Sequence, residues 1–231
     1  VMMNNLQILV LIRYSLIYVF FFIRPVHAQL VQSERIEIPS NPSVKEEFEV
    51  FPLQGAGLLS IIHETEFQSA KGSIWQFAKY DSTLHQIWKT THMVLRKYTP
   101  VMSYITDESG YWLFEEQDRG AYFILQLNVQ DGLISEFKCK LLSNLDVQQF
   151  KVIGSKVLIS GYYQSRPVVL VHSMFDQTMK VLPGLYEKNT EIHNVDINNE
   201  AEYINVVTYS FRKSKCYFEI KTFNFEGKFL H

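Results

Sequence analysis

The sequence predicts an all-β protein built from consecutive, similar sheets. Its apolar runs are short, rich in Val, Ile, Tyr and Phe, and interrupted by turn residues every eight to twelve positions, which is typical of strands joined by hairpins. A short motif also returns with a period of about 48 residues. Hydrophobic residues make up 47% of the chain and charged residues 20%, so the composition is that of a folded protein and excludes intrinsic disorder.

The periodic motif consists of an aromatic residue or valine, turn residues and then an apolar residue. It occurs at Tyr80–Leu84, Val129–Leu133, Phe175–Met179 and Phe225–Phe229. Four strand-like runs in the same order surround each copy. The repeats extend over residues 48–92, 101–142, 147–186 and 192–231.

Four strands in a repeat of this length predict a β-propeller blade. A four-stranded sheet with two apolar faces cannot bury both alone, and stacking such sheets side by side covers them. We therefore predict four propeller-like blades of four antiparallel strands over 48–231. A β-sandwich explains the strands but not the period.

The number of blades is left open by the two ends of this region. The segment 34–39 alternates like a strand within an N-terminal extension, 29–47, while 228–231 supplies the last strand of the fourth blade. Either the chain forms a four-bladed ring with an additional N-terminal strand, or it is part of a larger propeller. We favour the second interpretation.

In repeat length and strand order, residues 48–231 resemble the secreted bacterial β-propeller repeat proteins of the broad WD40/YVTN-like group. The signature motifs of that group, such as a Gly-His…Trp-Asp pair or Tyr-Val-Thr-Asn, do not occur. The resemblance implies an architecture and leaves the activity open, because this fold supports many functions.

The N-terminal segment is typical of a secretory signal. An eight-residue apolar run, 16–23, follows the positive charge of Arg13, and small or aliphatic residues occupy positions −3 and −1 before Gln29. We expect a signal peptide over 1–28, cleaved after Ala28, and export to the periplasm, cell surface or extracellular space. An uncleaved membrane anchor is the alternative, although the run is shorter than the roughly 20 residues that span a bilayer.

Charge and chemistry-bearing residues exclude several function classes. Lysine and arginine number 22 against 24 acidic residues, so no basic excess supports nucleic-acid binding. Cys139 and Cys216 fall in non-adjacent blades, and we expect two free thiols. The seven histidines show no metal-ligand spacing, and no nucleophile, dinucleotide or phosphate-loop motif occurs. We therefore expect no metal, cofactor or catalytic residue, and regard His63 and His172 as hydrogen-bonded structural histidines.

A basic residue recurs in the loop between the second and third strands of each repeat, namely Lys71, Arg119, Arg166 and Arg212. These loops open on the same face of a propeller, where guanidinium groups bind carboxylate or phosphate. Arg119, Arg166 and Arg212 are therefore candidate ligand-binding residues. The simpler interpretation is that repeats copy their turns and a basic residue keeps each loop soluble.

We expect an exported, non-catalytic binding or scaffolding module that recognises an unknown protein or glycan. The alternative is a propeller-type hydrolase or lyase acting on envelope polysaccharide or peptide. Its catalytic groups would come from the inner strands, which offer Glu49, Tyr104, Lys151, His193 and Asp196. Carboxylates about 5–10 Å apart in the channel would favour the enzyme. A flat apolar or aromatic face would favour the binding module.

Overall fold

In the computed structural model, antiparallel strands form four sheets that follow one another in chain order. The structure describes residues 35, 37–38, 45–64, 71–116, 120–142, 144–198, 202–212 and 215–231. Within these ranges every regular element is a strand. No helix in the described ranges is long and apolar enough to cross a membrane.

Each sheet is a simple meander in which hydrogen-bonded neighbours are also neighbours in sequence. The first sheet consists of β1 (Glu46–Leu53), β2 (Gly57–Glu64), β3 (Gly72–Tyr80) and β4 (Gln86–Leu95). The second consists of β5 (Tyr98–Ile105), β6 (Ser109–Glu116), β7 (Ala121–Asn128) and β8 (Ile134–Lys140). The third consists of β9 (Asp146–Ile153), β10 (Lys156–Tyr163), β11 (Arg166–Ser173) and β12 (Met179–Val181). The fourth consists of β13 (Thr190–Asn198), β14 (Tyr203–Arg212) and β15 (Lys215–Asn224).

This architecture confirms the predicted all-β, propeller-like fold of four antiparallel sheets. One strand requires correction, because the fourth sheet has three strands and 228–231 does not form a fourth. The Asn224 side chain accepts hydrogen bonds from the backbone of Glu226 and Lys228 and closes a tight turn. After this turn, 228–231 lies antiparallel beside β15, with an isolated bridge between Phe223 and Phe229 and backbone hydrogen bonds that join Thr222 to Leu230 and His231. It therefore continues the edge of the sheet without forming a regular strand.

Three apolar clusters hold successive sheets face to face, and the central strands of the second and third sheets contribute to two of them. In β7, Phe123 and Leu125 pack towards the first sheet, whereas Ile124 packs towards the third. In β11, Leu170 packs towards the second sheet and Val169 towards the fourth. Both faces of these strands are covered, which explains why their sequences are almost continuously apolar.

Side-chain hydrogen bonds also connect neighbouring sheets. Asp107 accepts a bond from the Gln54 backbone at 2.7 Å, which joins turns of the first and second sheets. Trp88 Nε1 donates to the Val129 carbonyl oxygen at 3.1 Å. These bonds fix the relative positions of sheets that the apolar clusters bring together.

The repeated motif forms the turn after the third strand of each sheet. Asp81, Asp131 and Asp176 accept backbone hydrogen bonds from residues that follow them in these turns. Backbone and hydroxyl donors from Thr178 stabilise the ionised Asp176 carboxyl and lower its pKa to about 2. The period detected in the sequence is therefore the period of a specific turn.

Residues 37–231 form one compact unit. The predicted signal peptide over 1–28 and its cleavage position lie outside the described residues. Most of the predicted strand over 34–39 also lies outside them, and Arg35, Glu37 and Ile38 have no regular structure.

Candidate functional site

A polar cleft of about 630 Å³ opens between the third and fourth sheets. It lies at the end of the sheets where β10 turns into β11 and where β9 and β13 begin. The cleft is lined by Asn144, Asp146, Tyr162, Gln164, Ser165, Lys188, Asn189, Thr190 and Glu191. Three chain segments far apart in sequence thus contribute amide, hydroxyl, carboxylate and ammonium groups to one surface.

Left-handed backbone conformations shape the rim of the cleft. Gln164 and Ser165 have φ angles of 48° and 62°, which gives the two-residue turn between β10 and β11 the twist that suits a hairpin. Asn144 and Asn189 also have positive φ, at 60° and 61°. Glycine or asparagine usually occupies such positions, so Gln164 and Ser165 stay there at a cost of about 1–2 kcal/mol each. The turn holds both side chains at the mouth of the cleft.

Hydrogen bonds between the third and fourth sheets hold the walls of the cleft in place. Lys151 Nζ donates to the Val195 carbonyl oxygen at 2.7 Å, and the Val195 backbone donates to Gln149 Oε1 at 3.3 Å. Nearer the cleft, the Ile192 backbone donates to the Tyr162 hydroxyl at 3.2 Å. β13 is therefore bonded to both β9 and β10, and the cleft has a defined width.

Arg166, the first residue of β11, lies beside the cleft. Its guanidinium is 4.7 Å from the centre of the Tyr186 ring, and the Tyr186 hydroxyl donates to Gln164 Oε1 at 3.4 Å. A stacked guanidinium keeps its charge and its donors at the ring's edge. Arg166 therefore has a structural contact and still contributes positive charge next to the polar lining.

The other predicted ligand-binding residues are described only in part. Arg119 lies outside the described residues, and Arg212 ends β14 with a side chain that the structure does not describe. Lys71 is exposed ahead of β3. The basic ring stays a prediction, with Arg166 as its one described arginine.

The inner-strand residues considered for catalysis are dispersed. Tyr104 packs against the cluster between the second and third sheets, while Lys151 is bonded to the Val195 carbonyl oxygen. His193 is exposed and packs edge-on against Tyr209 and Phe218 of the fourth sheet. Within the described ranges, no group of three His, Cys, Asp or Glu residues is placed to hold a metal ion.

The buried histidines have different surroundings. His63 stacks on Trp75 with ring centres 4.2 Å apart, and its Nε2 lies 3.4 Å from a Glu47 oxygen. The expectation of well hydrogen-bonded ring nitrogens does not hold for His172: it is buried, and among the described residues neither nitrogen makes a hydrogen bond of ordinary geometry, with only the Thr178 backbone near enough to interact. Burial disfavours its charged form and lowers its pKa.

Both cysteines are free thiols, with Cys139 buried and Cys216 exposed. Burial raises the pKa of the Cys139 thiol to about 12, so it stays protonated and unreactive at neutral pH.

A second, smaller cavity of about 330 Å³ lies at the opposite end of the third sheet. Lys156 and Lys180 both contact the Glu226 carboxylate there, and the hydrogen bond and charge of Lys156, followed by those of Lys180, lower its pKa. These ion pairs join the third sheet to the turn after β15. Because Lys156, Lys180 and Glu226 are engaged with one another and Asp176 with its own turn, we regard this cavity as a junction between sheets.

The cleft lining is not evident from the sequence, although Gln164 lies in the same turn as the predicted ligand-binding Arg166. Asp146, Tyr162, Lys188 and Glu191 resemble solvated residues at strand ends, and only the packing of the third sheet against the fourth brings them together.

No known protein family and no curated protein matches the sequence. Among solved structures, the chain is similar to cobalt-substituted apocarotenoid oxygenase of Synechocystis, with 8% identity and a TM-score of 0.42 over 79% of this chain and 48% of that chain. It is also similar to TolB from Acinetobacter baumannii, with 11% identity and a TM-score of 0.37 over 83% of this chain and 53% of that chain. The chain spans about half the length of these structures. Similarity at this level carries no information about activity, ligand or partner.

Proposed function

We propose that the protein is an exported, non-catalytic binding module of the secreted propeller-repeat type, and that it holds a protein or glycan in the cleft between the third and fourth sheets. The observation that carries this proposal is the lining of the cleft. The lining combines acceptors on Asp146 and Glu191, donors on Lys188, and both kinds of group on Gln164. One oxygen of Asp146 accepts from Gln148 and one of Glu191 from Tyr209, and the other oxygen of each carboxylate can serve a ligand. A small number of polar groups that converge on a rigid frame is typical of a site that orients a ligand.

The mixed charges of the lining favour an uncharged polar ligand group over a strong anion. Carboxylates from Asp146 and Glu191 stand beside the single ammonium of Lys188 among the lining residues. Sugar hydroxyls and peptide amides both donate and accept, and so match such a surface. Arg166 beside the cleft extends it towards a carboxylate on the same ligand.

The hydrolase or lyase alternative is not favoured. It needs an acid and a base on one channel, but Tyr104 lies between two sheets and His193 lies on an exposed face of the fourth. Lys151 is already engaged by a backbone carbonyl. A binding role needs no such convergence.

The test is binding to an immobilised array of neutral oligosaccharides, uronic-acid oligosaccharides and peptides. A cleft variant combines Gln164→Ala with Lys188→Glu, and a matched control combines Gln130→Ala with Lys228→Glu at the opposite ends of the sheets. We expect the cleft variant to lose at least about tenfold in affinity for any spot the wild type binds, which is about 1.4 kcal/mol. The control should bind like the wild type.

Equal binding by the wild type and the cleft variant would overturn the assignment of the site. Shortened oligosaccharides or peptides detected by mass spectrometry after incubation would overturn the non-catalytic role and restore the hydrolase or lyase.

A further inference from the structure

The first and fourth sheets each present an apolar face to solvent. Face 1, on the first sheet, consists of Phe48, Val50, Ile74, Ile87, Met93 and Leu95, whose side chains are 46–52% exposed. Face 4, on the fourth sheet, consists of Tyr209, Phe211, Phe218, Ile220 and His193. Phe211, Phe218 and Ile220 are 62–66% exposed. Such contiguous apolar faces are typical of interaction surfaces.

Strand alternation defines both faces. Ile74 and Met93 are paired across β3 and β4, on the side opposite Trp75, which is buried against the second sheet. Phe218 pairs with Tyr209 on the side opposite Phe223, which is buried against the third sheet. Face 1 therefore points away from the second sheet, and face 4 points away from the third.

Face 4 and face 1 are the two halves of an interface that the protein already uses three times. Each sheet has a forward face, directed towards the next sheet in the chain, and a backward face, directed towards the previous one. At each internal junction, the forward face of one sheet packs on the backward face of the next. Face 4 is a forward face and face 1 is a backward face. A fourth junction of the same kind would join face 4 of one chain to face 1 of another.

We propose that two copies of this chain associate head to tail, with face 4 of each copy packed on face 1 of the other. When two copies are related by a twofold axis, the contact between face 4 and face 1 occurs twice, so both pairs of apolar faces are covered at once. The assembly contains eight sheets, and propellers of up to about eight blades are known. Terminal repeats that stay exposed normally carry polar outer faces, whereas these faces place exposed apolar side chains among a few polar ones, such as Gln76 and Lys89 on face 1.

This association goes beyond the proposed function and does not depend on it. The lining of the cleft lies away from face 1 and meets face 4 at Glu191, whose carboxylate accepts a hydrogen bond from the Tyr209 hydroxyl. The face 4 variant described below therefore leaves Tyr209 in place. Loss of ligand binding with an unchanged mass, or the reverse, would separate the two proposals.

The test is the mass in solution of the protein expressed from its full coding sequence, measured by light scattering after gel filtration. A face 4 variant combines Phe218→Asp with Ile220→Asp, and a face 1 variant combines Ile74→Asp with Met93→Asp. Phe175→Asp is the control, because this side chain is 89% exposed in a turn of the third sheet. All replaced side chains are exposed, so each variant should keep the far-ultraviolet circular dichroism of the wild type.

We expect the wild type and the control to have twice the mass of one chain, and each face variant to have the mass of one. An equimolar mixture of the two face variants retains one intact face 4 and one intact face 1, and should form a dimer through a single junction. We expect a Kd of the dimer of about 10 µM or below. A wild type that is monomeric at about 100 µM would therefore overturn the proposal. So would a dimer that only one of the two face variants disrupts, or a mixture without heterodimer.

Cys216 provides an independent readout, because it pairs with Phe211 at the edge of face 4 and is exposed. Cys139 does not react with the alkylating reagent because it is buried. Alkylation of Cys216 should be at least about tenfold slower in the dimer than in the monomeric face 1 variant, whose own Cys216 is unchanged. Equal rates in a protein of dimeric mass would place the contact elsewhere and overturn the proposal.

Discussion

The guanidinium of Arg166 stacks on the ring of Tyr186 at 4.7 Å, which connects the turn at the mouth of the cleft to the segment that leads into β13. Tyr186 in turn donates a hydrogen bond to Gln164. The predicted ligand-binding arginine is therefore also part of the frame of the cleft, and its two roles have to be measured separately.

Arg166→Gln and Tyr186→Leu should be energetically coupled. A partly exposed cation–π pair contributes about 0.5–1 kcal/mol, and the double variant should lose less stability than the two single variants together by about this amount. Urea unfolding of the four proteins measures the coupling. Strict additivity would show that the stacked geometry contributes nothing to stability.

Truncating a side chain in either of two inter-sheet clusters should be costly. Leu125 is fully buried between the first and second sheets, and Leu170 between the second and third. Leu→Ala at each position should lower the free energy of unfolding by about 2–5 kcal/mol, because it removes buried methyl groups and leaves a cavity. Leu133→Ala is the control, since Leu133 is 68% exposed, and it should change stability by less than about 0.5 kcal/mol. Equal effects at all three positions would contradict the packing.

Gly57 and Gly55 lie in the same hairpin of the first sheet, and alanine should be tolerated at only one of them. Both have positive φ, at 95° and 69°, so each substitution strains the backbone by about 1–2 kcal/mol. A methyl group at Gly57 would also overlap the Tyr80 carbonyl oxygen, whereas one at Gly55 meets no atom within 4 Å. Thermal unfolding should show a clearly larger loss for Gly57→Ala. Similar melting temperatures for the two variants would mean that β2 and β3 are not this close.

His172 should make stability dependent on pH. Burial lowers its pKa in the folded protein below the ordinary value of 6.5, so below about pH 6.5 the unfolded chain binds more protons at this residue than the folded one. The stability that depends on a neutral His172 is therefore fully present above about pH 6.5 and is lost as the pH falls. His172→Leu removes the titration and two unpartnered nitrogens. Urea unfolding at pH 7.5 and 5.5 should show a smaller loss on acidification in this variant than in the wild type. An identical loss would assign the pH dependence to other groups.

The sequence pattern of each strand and turn predicts the sheets, but it does not predict where each strand begins and ends. The apolar runs and the repeated turns predict the strands because each strand carries its own pattern and each turn its own acceptor. β4 continues to Leu95, beyond the first repeat predicted over 48–92, because Val94 packs inwards against the second sheet. β5 begins at Tyr98 and includes Pro100, which an edge strand tolerates.

The cleft and the two exposed faces depend on relationships that no local pattern contains. Asp146 and Glu191 are far apart in sequence, and their common position follows from the packing of the third sheet against the fourth. Phe218 and Ile220 have the alternation of core residues, and their exposure reflects the absence of a covering sheet in the described chain. Sequence reasoning identifies an apolar face but not its partner.

The central claim is that four sheets, packed in chain order, form one cooperative body that holds the cleft. All three tryptophans, Trp75, Trp88 and Trp112, lie in the first two sheets, so their fluorescence reports on that half, while far-ultraviolet circular dichroism reports on every strand. Urea unfolding followed by both signals at one protein concentration tests the claim most directly. The account predicts a single transition with coincident midpoints. A fluorescence midpoint separated from the circular dichroism midpoint would show that the halves unfold independently, and would contradict it.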